Sequence, residues 1–128
     1  LISRLNIENY VICNNVYDDN SLQIIYSQSL FFIFPSLYEG FGIPILEGFA
    51  SGTPVLLTNA SCFPEIAEDA ALYFELDNHD DFVQKVELLL SSSELRNEFI
   101  ERGFKRLKKF SWEKCAYETL LTYQRTLN

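Results

Sequence analysis

The sequence predicts an α/β domain built on a mostly parallel sheet. Short apolar runs with the length of strands alternate with stretches of helical periodicity. The run Leu30-Phe31-Phe32-Ile33-Phe34 is unbroken, as in a parallel strand covered on both faces. The strand, loop, helix and strand that it opens follow each other within a span that suits one right-handed crossover unit.

Residues 10–13 read as a first short strand, closed by a turn at Asn14-Asn15. Asp18, Asp19 and Asn20 offer caps for a helix over 21–29, with Leu22, Ile25 and Tyr26 on one face. Residues 30–34 are the next strand, and Pro35 ends it. A loop follows over 36–43. Pro44 suits the first turn of a helix over 44–51, because its missing N–H has no partner there anyway. Ile45, Leu46, Phe49 and Ala50 share one side of that helix, which Gly52-Thr53-Pro54 ends. A strand at 55–57, a helical turn at 64–67 and a last short strand at 71–74 complete the sheet. Beyond it the pattern is helical. Phe82, Val83, Val86, Leu89 and Leu90 form one apolar stripe, and Leu95, Phe99, Ile100 and Leu107 a second. Ser111 caps a final helix carrying Trp112, Cys115, Ala116, Thr119, Leu120 and Tyr123 on one face, where Trp112, Tyr117 and Tyr123 are expected to pack. Asp77, Asp80 and Asp81 around His79 read as a loop and helix cap rather than metal ligands.

Composition narrows the function. Of 128 residues, 48% are hydrophobic and 15% aromatic, so the chain can bury a core, and no apolar run reaches the length of a membrane span. The net charge of -8 argues against a nucleic acid backbone as ligand. Cys13, Cys62 and Cys115 lack metal or redox spacing and read as buried free thiols of a reducing compartment, hence a cytoplasmic location. Residues 1–9 lack the pattern of a secretory leader, and there is no initiating Met, which suggests a piece of a longer protein. Arg102, Lys105, Arg106, Lys108 and Lys109 form a basic cluster. It reads either as a solvated face with cations near a helix C-terminus or as a peripheral contact with anionic lipid or an acceptor headgroup.

The loop after Phe34 carries the chemistry. It lies at the carboxyl end of a parallel strand, where open sheets bind ligands, and it leads into a helix whose first N–H groups favour an anion. Gly40 and Gly42 let the backbone approach a ligand closely. Glu39 in the loop and Glu47 in the helix add two carboxylates flanking one crevice without touching. A carboxylate repels phosphate but accepts hydrogen bonds from hydroxyls. A diphosphate with a sugar at each end matches that arrangement. The alternative from chemistry alone is that Glu39 merely favours the helix dipole and Glu47 is solvated.

The stretch Phe34-Pro35-Ser36-Leu37-Tyr38-Glu39-Gly40-Phe41-Gly42-Ile43-Pro44-Ile45-Leu46-Glu47 resembles the signature of the group 1 (family 4) retaining glycosyltransferases of the GT-B fold, in which seven residues separate two glutamates. The likeness continues through Asn59-Ala60-Ser61-Cys62-Phe63-Pro64-Glu65 and at Phe110-Ser111-Trp112-Glu113. It implies a Rossmann-like sheet flanked by helices, with residues 1–128 as one partial, C-terminal, donor-binding domain. The acceptor domain and the first part of the donor domain would lie outside it, the last helix would pack back toward the acceptor domain and so leave part of its aromatic surface exposed here, and the piece alone would be inactive. By position, Glu39 would be the catalytic residue beside the donor sugar. Backbone N–H groups of Gly40, Phe41 and Gly42 would meet its hydroxyls or the phosphates, Ile43 and Leu46 would line the nucleotide side, and Glu47 would hold the ribose. The substrate would be a GDP- or UDP-linked hexose, mannose among the candidates, passed with retention to a glycan or lipid-linked acceptor with neither metal nor cofactor. The family usually has Gly where this chain has Asn15, and its diphosphate-binding Arg and Lys lie upstream, which reconciles the acidity with a diphosphate ligand. Two other readings stand beside this one: a non-catalytic nucleotide-binding or interaction module of the same fold, and a dinucleotide domain, disfavoured because the loop is not G-x-G-x-x-G.

Overall fold

A computed structural model describes residues 1–15 and 18–127. Its centre is a three-stranded parallel sheet in the order β1-β2-β3, with β1 at Phe32–Phe34, β2 at Val55–Thr58 and β3 at Leu72–Phe74. Phe32 pairs with Val55 and Phe34 with Leu57 on one side of β2, and Leu56 with Leu72 and Thr58 with Phe74 on the other. Helices α1 (Ile2–Leu5) and α2 (Asp19–Gln28) precede the sheet. Helix α3 (Ile43–Ala50) connects β1 to β2, and α4 (Phe63–Ala67) lies between β2 and β3. Helices α5 (His79–Ser91), α6 (Ser93–Leu107) and α7 (Trp112–Thr126) follow. This is an α/β, Rossmann-like arrangement.

Strand alternation divides the core into two layers. Val55 and Leu57 face one side with Ile45 and Phe49 of α3 and Phe63 and Ile66 of α4. Leu56 and Phe74 face the other with Leu89 of α5 and Phe99 of α6. All four residues of β2 are fully buried, as suits a strand with partners on both edges and helices on both faces. Burying each of the large apolar side chains contributes about 1.5–3 kcal/mol.

Close approach needs glycine at two points. A Cβ on Gly48 would lie 2.9 Å from Val55 Cγ2, and one on Gly103 would lie 2.8 Å from Phe49 Cδ1. These glycines let α3 pack against β2 and α6 pack against α3. The longer helices start on side-chain caps: Asp18 accepts from Ser21 N–H, Asn78 from Asp81, Ser92 from Leu95 and Ser111 from Lys114.

Several expectations need correction. Residues 10–13 form no ladder. Tyr10 ends a 3-10 turn (Glu8–Tyr10), and Tyr10 and Ile12 are both exposed, so the segment has no buried face to hold it as a strand. The β1 strand is shorter than the apolar run and lies at an edge of the described sheet, half-buried; the fully covered strand is β2. Val83 and Leu90 turn outward, and only Leu89 of the α5 stripe is fully covered. Cys13 and Cys115 are free but exposed, and Cys62 is half-buried. Helix α7 buries none of its side chains, so Trp112, Tyr117 and Tyr123 point to solvent rather than packing within the chain. The cap near His79 is Asn78, while Asp81 accepts from Glu75 N–H and Asp77 takes a left-handed φ of 62°.

Candidate functional site

The loop at 35–42 leaves the carboxyl end of β1 and is held by hydroxyls from the neighbouring strand and turn. Thr58, buried at the end of β2, donates from Oγ1 to Ser36 O at 2.6 Å. Ser36 Oγ in turn donates to Glu39 Oε1 at 2.9 Å, which fixes the carboxylate against its own loop. Ser61 Oγ accepts from Glu39 N–H at 3.1 Å and donates to Glu39 O at 3.0 Å. Cys62 Sγ donates towards the carbonyls of Glu39 and Phe41 at 3.4 and 3.2 Å. Both the backbone and the side chain of Glu39 are therefore restrained.

Gly40 and Gly42 serve different ends. A Cβ on Gly40 would meet nothing within 4 Å, so the space beside it is open. Gly42 has a φ of 96° and caps α3 in the left-handed region, where a Cβ would lie 2.9 Å from Ile45 Cδ1. Unlike the four helices capped by side chains, α3 has no side-chain cap, and Pro44 lies in its first turn. Pro44 has no N–H and the Ile45 N–H donates to Gly42 O at 3.0 Å, so in the first turn it is the N–H of Ile43 that is left for another acceptor.

Glu47 lies one turn into α3, half-buried, with Oε2 3.4 Å from the hydroxyl of Tyr26. Tyr26 is set in place from three directions. Its carbonyl accepts from Thr53 Oγ1 at 2.7 Å, its ring meets Phe32 edge-on at 5.0 Å, and its hydroxyl meets the carboxylate. Burial, then the adjacent Glu47 charge, pushes the Tyr26 phenol up to about 12. Glu39 and Glu47 thus have separate partners and no bond to each other.

Glu47 forms the ridge between two hollows. The larger, about 860 Å³, runs between α3 and α7 and is lined by Phe41, Ile43, Leu46 and Glu47 with Phe110 and Trp112 among the residues opposite. The smaller, about 280 Å³, lies between α2 and α3 and includes Asp19, Gln23, Tyr26, Glu47 and Ser51. Phe41 also meets Phe110 edge-on at 5.7 Å. Of the residues selected from sequence, Phe41, Ile43, Leu46 and Glu47 converge on the large cleft, while Glu39, Gly40 and Gly42 lie in the loop beside it. Sequence reasoning missed Tyr26, Ser36, Thr58 and Ser61 as supports. The hydroxyl residues following β2 are a weak signal in retrospect, because only the parallel pairing of β1 with β2 brings them to the loop.

The basic cluster separates into parts. Arg106 donates to the carbonyls of Ile66 and Glu65 at 2.7 and 2.6 Å and pairs with Glu68 at 2.8 Å. Arg102 pairs with Glu98 and donates to Asp69 O at 3.0 Å. Both arginines thus tie α6 to the end of α4 and the turn after it. Among the described residues, no three His, Cys, Asp or Glu side chains gather as metal ligands would, and no helix is long and apolar enough to cross a membrane.

The fold and the clamped, glycine-bearing helix entry belong to a known class. The profile of the family described as "Glycosyl transferases group 1" matches residues 1–106, and the chain belongs to this family. It is similar to the O-antigen chain mannosyltransferase B of Escherichia coli, with 32% identity over 97% of this chain and 32% of that one. Among solved structures it resembles sucrose-phosphate synthase from Thermosynechococcus elongatus, with a TM-score of 0.87, 22% identity and coverage of 98% of this chain and 32% of the other. It also resembles the C-terminal domain of a group 1 glycosyl transferase from Francisella tularensis, with a TM-score of 0.71, 26% identity and coverage of 84% and 57%. The chain therefore spans about a third of the length of that mannosyltransferase.

Proposed function

We propose that the protein carrying this chain is a glycosyltransferase that moves a hexosyl group, with mannose the first candidate, from a nucleotide-diphosphate sugar to a glycan or lipid-linked acceptor with retention of configuration. Family membership supports the reaction class, and the similarity to an E. coli mannosyltransferase supports mannose. The observation that carries the site assignment is the pair of glutamates on either side of an uncapped helix entry, each oriented by its own hydroxyl partner.

In this reading the N–H groups of Gly42 and Ile43, at the start of α3, face the diphosphate. Gly40 and Phe41 supply backbone contacts to the sugar in the open space beside Gly40, Ile43 and Leu46 line the nucleotide side, and Glu47 accepts from ribose hydroxyls. The bond from the anomeric carbon to phosphate oxygen breaks, and one to the acceptor oxygen forms on the same face. The nucleoside diphosphate leaves with the bonding electrons and takes up the proton that the acceptor hydroxyl gives up. Glu39, held by Ser36 and Ser61, stabilises the positive charge developing at the anomeric carbon. This chain is the donor half in that scheme. A second domain supplies the acceptor, and residues outside the chain supply the cations for the diphosphate. No protein-bound metal or cofactor is required.

Replacing Glu39 with Ala in the protein that carries the chain is expected to lower kcat by about a hundredfold or more, the scale for removing a charge-stabilising group. Wild-type transfer by that variant would reject the role given to Glu39, whereas an intact protein that neither transfers nor hydrolyses the donor would leave the non-catalytic module as the better reading.

A further inference from the structure

We propose that Ser61 is a positioning residue for Glu39, so that the rate of sugar transfer depends on a hydroxyl borne by the turn after β2. This rests on the assignment of Glu39 to the donor sugar.

Three independent features point to Ser61. Its Oγ bonds both backbone groups of a single residue, accepting from Glu39 N–H at 3.1 Å and donating to Glu39 O at 3.0 Å. A hydroxyl has one proton to give and lone pairs to accept with, so the two bonds coexist without conflict. Next, Ser61 adopts a φ of 55°, in the left-handed region that costs a residue bearing a Cβ. Glycine would fill this position at lower backbone cost, yet it would leave both groups of Glu39 without this partner. Finally, the grip on Glu39 is divided. Ser36 holds the carboxylate, and Thr58 holds the backbone of Ser36. Cys62 reaches the Glu39 carbonyl only at the long distance of 3.4 Å, and among the described residues it is Ser61 that holds the Glu39 N–H. Loss of the Ser61 hydroxyl frees the peptide on which the carboxylate hangs, while the turn itself can persist.

Two substitutions separate the hydroxyl from the backbone. Ser61→Gly removes Oγ and relieves the left-handed conformation. Ser61→Ala removes Oγ and keeps it. Both are expected to lower kcat on the order of tenfold, the scale for losing two ordinary hydrogen bonds on the reacting geometry, with little change in the KM for donor. Ser61→Gly is expected to melt no lower than Ser61→Ala. Amide exchange at Glu39 in the chain itself is expected to accelerate in both variants, a readout that does not depend on turnover. In a Glu39→Gln background the Ser61 effect on kcat is expected to vanish, because residues acting through one group are not additive. Normal turnover by Glu39→Gln alone would overturn the donor-site reading and this proposal with it. Impaired Glu39→Gln together with unimpaired Ser61→Gly would overturn this proposal alone. A Ser61 effect that persists undiminished in the Glu39→Gln background would also overturn it.

Discussion

Tyr26 shows how one residue couples the core to the site. Its backbone is pinned by Thr53, its ring packs on Phe32, and its hydroxyl meets Glu47. Tyr26→Phe keeps the packing and removes only the hydroxyl. It is expected to cost about 0.5–1.5 kcal/mol of stability at most and to weaken nucleotide binding through a less restrained Glu47, measurable by titration with the nucleoside diphosphate. Tyr73 is a second phenol, half-buried, donating to Glu68 O at 2.8 Å. Burial pushes both groups from 10 to about 12 in the folded chain. The sign follows from which state ionises first. Below pH 10 both phenols are neutral, folded or unfolded. Above it the unfolded chain loses these protons while the folded chain retains them, so stability falls as pH rises through about 12. Melting temperature against pH between these limits checks this, and a flat profile would contradict it. None of this was legible in the sequence. Tyr26 was placed on the apolar face of its helix, and it is buried there, but nothing in a periodic pattern says that its hydroxyl meets a glutamate in the next helix. Glu39, Gly42 and Glu47 were legible because their spacing within one loop and helix is local. Ser61 and Thr58 were not, because their role depends on strand pairing across more than twenty positions.

The elements nearest the site depend on close contact more than on propensity. In an exposed helix, Gly103→Ala would be stabilising by about 1 kcal/mol. Here the new methyl group would meet the buried ring of Phe49, and overpacking costs about 1–3 kcal/mol. The net effect expected is a loss of stability, and chemical denaturation of the variant measures it. Arg106 does similar work between α6 and α4 by satisfying the carbonyls of Ile66 and Glu65. Arg106→Ala is expected to destabilise by about 1–3 kcal/mol, and Arg106→Lys to recover only part, since an ammonium cannot reproduce the planar fork. The sequence had grouped Arg106 with its neighbours as a basic patch. Charge alone could not distinguish a cation bound to helix-end carbonyls from one facing solvent.

At the scale of the whole molecule, the best-covered part is β2 with α3, α4 and the stretch of α6 around Phe99 and Gly103, whereas α7, like α1, buries no side chain. No side chain of α7 is buried, and Trp112, Tyr117, Leu120 and Tyr123 are all exposed. Its amides are expected to exchange well ahead of those of β2, which hydrogen exchange resolved by residue would show. The α/β class and the parallel sheet were readable because apolar runs and helical stripes are local patterns. The misplaced first strand shows the limit of the same patterns, while the exposed aromatics of α7 match what the family resemblance implied for its last helix. Apolar patterning says that a segment has a face to bury, but it does not say what buries it.

The central claim is that the helix entry between Glu39 and Glu47 receives a nucleotide-diphosphate sugar. The most direct test follows the backbone amide signals of the protein during titration with a nucleotide sugar and, separately, with the same nucleoside diphosphate lacking the sugar. The account predicts that both ligands shift the signals of Ile43 and Glu47, and that only the sugar-bearing one also shifts Glu39, Gly40 and Phe41. Equal shifts from both ligands, or shifts confined to residues away from this loop and helix, would contradict it.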